Sequence, residues 1–81
     1  MYVRAHIMLN TLTDANEFVS AINSDGTVDK FIIEDGIGDR RVNARSLLGV
    51  VYAMSDYSDH MYLVNDTNDG VFPSSIDGFR A

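Results

Sequence analysis

The stretch Val42-Asn43-Ala44-Arg45-Ser46-Leu47-Leu48-Gly49-Val50-Val51-Tyr52 limits what this chain can fold into more than any other. Its apolar run is far shorter than the roughly 20 residues that cross a bilayer. Two residues able to cap a helix, Asn43 and Ser46, stand before it. A capped apolar run of this length suits a helix lying on a sheet, with the rest of the chain arranged to cover it. The chain has 81 residues, close to the lower size at which one core folds without disulfides or metals. We therefore expect one domain over residues 1–81, with most apolar side chains needed for stability.

The flanking sequence supplies the sheet. From Tyr2 to Leu9 the residues alternate, with Val3, Ala5, Ile7 and Leu9 on one side and Arg4, His6 and Met8 on the other, which is the period of a half-buried strand. Turn and cap residues follow at Asn10–Asp14, and Asp14 with Glu17 has the spacing of a capping box. Ala15, Phe18, Val19 and Ile22 then form one helical stripe, ended by Asn23-Ser24-Asp25-Gly26, where Gly26 is free to take positive φ. Val28 to Glu34 is β-branched and aromatic and reads as a second strand. The turn Asp35–Asp39 leads into a short third strand, Arg40 to Val42. After the central helix and a polar loop at Ser55–Asp59, His60 to Val64 has strand character. Phe72–Phe79 suits a short helix with Pro73 in its first turn. The order strand, helix, strand, strand, helix, strand, short helix predicts an α+β open-faced sandwich. Its four-stranded, mainly antiparallel sheet carries two main helices and a short C-terminal helix on one face.

Composition narrows the function. No cysteine is present, so disulfide frameworks, thiolate zinc sites and cysteine nucleophiles are excluded together, in keeping with a reducing, cytoplasmic setting. Neither a signal peptide nor a transmembrane helix is expected, because Arg4 and His6 interrupt the early apolar residues. Six basic residues against twelve acidic ones leave a net charge of −6, which repels phosphate backbones and anionic lipid. Protein is the expected partner, rather than nucleic acid or membrane. No nucleophile elbow, phosphate loop or dinucleotide fingerprint is present, so no enzyme activity and no cofactor are expected.

The element order and the segment Val42-Asn43-Ala44-Arg45-Ser46-Leu47-Leu48-Gly49-Val50 together resemble HPr, the histidine-containing phosphocarrier family of the bacterial sugar phosphotransferase system. The segment is similar to that family's regulatory-serine stretch, in which a basic residue and a serine precede two large apolars, a glycine and an aliphatic. The family's other signature is a histidine, one residue, an arginine and usually a proline, where the first strand runs into the first helix. Here Thr11-Leu12-Thr13-Asp14 stands in that place. The phosphoryl chemistry needs an imidazole to accept the group, and an arginine with a helix N-terminus to stabilise its charge. Both side chains are missing, and Asp14 adds a carboxylate where phosphate would sit. The resemblance thus implies an HPr-like domain, inactive in phosphotransfer at the usual site, that acts as a regulatory or protein-binding module.

Ser46 has two readings, a helix cap and a regulatory phosphorylation site whose phosphate would meet Arg45, Arg40 or Arg41. Leu47, Leu48 and Val51 are either core or, as the resemblance implies, a docking surface for a partner. His6 and His60 have no metal-ligand spacing. Asp56, Asp59, Asp66 and Asp69 lack the alternating pattern of a calcium loop and read as solvated acidic loops. Two further functions stand beside the regulatory one: a divergent phosphocarrier using His6 or His60, and a structural domain that forms a homodimer through an exposed strand edge.

Overall fold

The computed structural model describes residues 2–81 and is α+β. Its elements are strand β1 (Ala5–Ile7), helix α1 (Leu12–Asn23), strands β2 (Phe31–Glu34) and β3 (Arg41–Asn43), helix α2 (Leu47–Asp56), strand β4 (Met61–Asn65) and a 3-10 helix, Ser74–Phe79. The four strands form one antiparallel sheet in the order β1-β4-β2-β3. Register places Ile33 beside both Val42 and Leu63, and Leu63 beside Ala5. One row of side chains therefore crosses the whole sheet and faces the helices.

The period-two and helical patterns fall on the core except at Val3 and Val19, which are half-buried. Ala5, Ile7 and Leu9 are buried together with Ala15, Phe18 and Ile22 of α1, Val50 and Ala53 of α2, and Ile76 of the 3-10 helix. Phe18 meets Phe79 edge to face, with ring centroids 5.6 Å apart, which ties the chain end to α1. Gly26 ends the α1 turn at φ +85°, a conformation that costs glycine nothing.

The strands are shorter than their sequence patterns. Val3 donates its N–H to the Asp69 carboxylate at 2.7 Å, not to a neighbouring strand, so β1 begins only at Ala5. Lys30 likewise donates its N–H to Thr67 Oγ1 at 2.9 Å. Val28 is 99% exposed and lies outside β2. β3 and β4 each begin one residue later than the sequence suggests, at Arg41 and Met61. Pro73 sits just before the 3-10 helix.

The sheet face away from the helices carries a polar network. Glu34 is only 2% exposed, and its carboxylate accepts from the Tyr2 hydroxyl at 2.6 Å and from Arg4 at 3.2 Å, with Arg41 Nε at 3.3 Å. A buried carboxylate so surrounded has the partners it requires. Burial, then the Glu34 carboxylate, push the Tyr2 phenol pKa up and keep it a donor.

Candidate functional site

The first turn of α2 is built from its own sequence. Of the two possible caps, Ser46 is the one used: its backbone is extended, and its Oγ accepts the Gly49 N–H at 3.3 Å. Asn43 shapes the preceding turn, its Oδ1 accepting the Arg45 N–H at 2.9 Å. Gly49 permits a close approach to β3, for a Cβ there would lie 2.9 Å from the Asn43 carbonyl oxygen. With the helix pressed down along this line, Val50 and Ala53 are fully buried.

The opposite side of the same helix is uncovered. Leu48 is 83% exposed, Leu47 and Val51 are each 37% exposed, and Tyr52 is 51% exposed. Leu47 with Val51, and Leu48 with Tyr52, are i, i+4 pairs, so the four side chains form two adjacent rows. The expectation that the chain would cover this run holds only for its Val50 and Ala53 side. All three residues proposed as a docking surface face solvent. Tyr52, which sequence reasoning missed, extends the patch, and its spacing from Leu48 was the available signal.

The three arginines near Ser46 are already engaged. Arg45 donates to the carbonyl oxygens of Ile22, Thr27 and Asp29 at 2.9–3.2 Å, and its guanidinium lies 5.3 Å from the Phe31 ring centroid. It closes the end of α1 and the loop that follows, where a cation also complements the helix dipole. Arg40 pairs with Asp56, while Arg41 pairs with Glu34 and Asp66. A phosphate on Ser46 would have to draw one of them from its present partner.

At the other helix start, Thr11, Thr13 and Asp14 occupy the first turn of α1. The capping box is Thr11 with Asp14, three residues earlier than the Asp14 and Glu17 spacing suggests. Thr11 Oγ1 accepts the Asp14 N–H at 3.1 Å, and Asp14 Oδ2 accepts the N–H groups of Asn10 at 2.8 Å and Thr11 at 3.2 Å. The helix runs three residues further back than the Asp14 box implied, because the threonine hydroxyl reaches the third residue of the turn. An internal carboxylate thus holds the place of an external anion.

The histidines lie elsewhere. His6 stacks on Tyr62 and its Nε2 is 2.7 Å from the Asp59 carbonyl oxygen. A carbonyl can only accept, so Nε2 carries the proton when the ring is neutral. His60 Nε2 is 3.3 Å from the Asp59 carboxylate. Asp56 and Asp66 are drawn into the arginine pairs, and Asp69 holds the backbone of Val3. Of the two sheet edges, that of β1 is taken up by the chain end, with Met8 and Ala81 hydrogen-bonded across to Phe79 and His6. β3 is the other edge.

No family model matches this sequence, and no match is found among curated proteins or solved structures. Among the described residues, no helix is long and apolar enough to cross a membrane.

Proposed function

We propose that this chain is a cytoplasmic HPr-like domain, inactive in phosphotransfer at the usual site, that binds a protein partner through the outer side of α2. The observation that carries the reading is the patch of Leu47, Leu48, Val51 and Tyr52. Three large aliphatic side chains and a tyrosine are left in water on one helix of a domain that has few core residues to spare. The α+β architecture with its helices on one face, and the Ser46 cap before two leucines and Gly49, agree with the resemblance. The absence of an imidazole at Thr11 and of a guanidinium at Thr13 supports a binding role rather than a phosphoryl-carrying one.

Incubation with phosphoenolpyruvate and the general phosphotransferase enzyme tests the inactive site. We expect no acid-labile phosphate on the protein. Placing histidine at position 11 and arginine at position 13 together should restore little, because Asp14 still fills the helix start. Replacing Asp14 as well should improve acceptance. A phosphohistidine at His6 or His60 in the wild type would overturn this reading in favour of a divergent phosphocarrier.

A further inference from the structure

On the sheet face away from the helices, the N-terminal segment, the end of β2 with its turn, and β3 border a cleft of about 590 Å³. Its volume lies within the range of small-molecule sites. Arg4 and Arg41 line it together with Tyr2, Glu34 and Ile37. Glu34 holds the two guanidiniums close to each other: Arg4 Nη1 donates to Oε1 at 3.2 Å, and Arg41 Nε lies 3.3 Å from Oε2. Both can be reached from solvent, with 28% of the Arg4 side chain and 40% of the Arg41 side chain exposed.

A guanidinium carries more N–H donors than these contacts use. Arg4 makes its hydrogen bonds through Nη1 alone, to Glu34, to the Asp35 carbonyl oxygen at 3.3 Å and to the Gly36 carbonyl oxygen at 3.2 Å. The Tyr62 ring, its centroid 4.3 Å from the guanidinium carbon, holds the group in place. Nε and Nη2 of Arg4, the edge that a carboxylate meets with two parallel hydrogen bonds, have no partner among the described residues. Arg41 engages Nε with Glu34 and Nη2 with Asp66, the latter at 3.2 Å. Asp66 in turn lies 4.0 Å from the Lys30 ammonium. Arg4, Arg41 and Lys30 thus stand against Glu34 and Asp66, which leaves one positive charge in excess. Neither Asp35 nor Asp39, the acids of the turn, lines the cleft.

We propose that this cleft binds a small organic carboxylate. Its oxygens accept from Nε and Nη2 of Arg4 and from the remaining N–H groups of Arg41, and its body lies against Tyr2 and Ile37, both exposed. One carboxylate matches the single excess charge. A phosphate ester carries close to two negative charges at neutral pH, and the second would face the Glu34 carboxylate in a chain of net charge −6. A cation would meet two guanidiniums. The site is on the other side of the sheet from α2, so it does not rest on the docking reading, and either can fail without the other.

Titration of the isotope-labelled protein with benzoate, benzamide, benzylamine and phenyl phosphate, followed in NMR at the backbone amides and the arginine Nε–H groups, tests the proposal. Benzoate should give saturable shifts at Arg4 and Arg41 Nε–H and at the Gly36 and Ile37 amides, and the other three should bind more weakly. Arg41→Gln leaves Glu34 its contacts with Tyr2 and Arg4 and should weaken benzoate about tenfold, the equivalent of one charged hydrogen bond. Arg80→Gln changes the net charge equally at a residue that lines a different groove, and should bind benzoate within about twofold of the wild type. Arg41→Lys keeps a cation beside Glu34, which protects the fold if the glutamine variant loses it, and without the planar donor set it should also bind benzoate more weakly than the wild type. The absence of a saturable benzoate shift, binding of benzamide, benzylamine or phenyl phosphate as tight as that of benzoate, or equal losses in Arg80→Gln and Arg41→Gln would each overturn the proposal. Undiminished binding by folded Arg41→Gln or by Arg41→Lys would overturn it too.

Discussion

The two helices of this domain begin in opposite ways. α1 starts on a complete capping box, with Thr11 and Asp14 bonded to each other's backbone and the Asp14 carboxylate in front of the helix. α2 starts on the single hydroxyl of Ser46, has no acid in its first turn, and sends Leu47 and Leu48 outward within one turn of the cap. The first start is closed: its polar groups answer one another, and the helix behind it fills the core with Ala15, Phe18 and Ile22. The second is open, with apolar surface beside a modest cap. Local completeness serves folding, and on the proposed reading the incomplete start is what a partner would cover.

The widest separation between the two helices should appear in stability. Phe18→Ala removes a fully buried ring from α1 and should cost about 3–5 kcal/mol, against the roughly 5–15 kcal/mol that holds a typical domain together. Leu48→Ala on α2 should stay within about 0.5 kcal/mol, as exposed substitutions usually do. Urea melts of both variants check this. A loss above about 2 kcal/mol for Leu48→Ala would place that side chain in the core.

A smaller effect sharpens how α2 is seated. Gly49→Ala forces a methyl group to within 2.9 Å of the Asn43 carbonyl. The overlap outweighs the gain in helix propensity, so the variant should lose about 1–3 kcal/mol in the same melts. A more stable Gly49→Ala would mean that α2 does not rest on β3.

The caps should differ by less. Asp14→Ala removes the carboxylate that two backbone N–H groups share and should cost about 1–2 kcal/mol, whereas Ser46→Ala should cost about 1 kcal/mol. Ser46→Asp should be tolerated, since a carboxylate also caps well. Thermal melts followed by circular dichroism order the three, and a larger loss at Ser46 than at Asp14 would reverse the comparison.

What the sequence makes legible follows the range of the interactions. The α1 stripe, the β1 alternation and the turn glycines depend on neighbours within a few residues, and Ala15, Phe18, Ile22, Ile7 and Gly26 lie where their spacing places them. Val28 has the composition of a strand residue. It is left out because Arg45, 17 positions on in the sequence, takes the carbonyls on either side of it. Glu34 closes the second strand in the sequence, and nothing local marks it for burial: Tyr2 and Arg4 of the N-terminal segment and Arg41 of β3 converge on it. Position 14 shows a subtler limit, since two overlapping box spacings share Asp14 and only backbone geometry selects Thr11 over Glu17 as its mate. On α2, Val50 and Ala53 form the buried row, and the sequence does not single them out, because Leu47, Leu48 and Val51 are as apolar as core residues. Their exposure depends on how Gly49 seats the helix.

The most direct test of the open helix start uses two variants side by side, Leu48→Asp and Asp14→Ala, as baits in an extract of the source cell, with folding confirmed by circular dichroism. Leu48→Asp should remain folded and lose the partner that the wild type retains, because a carboxylate has been put in the middle of the apolar patch. Asp14→Ala should be less stable and keep that partner. Retention of the partner by folded Leu48→Asp, with loss by folded Asp14→Ala, would place the functional surface at α1 and contradict the reading of α2 as the docking helix.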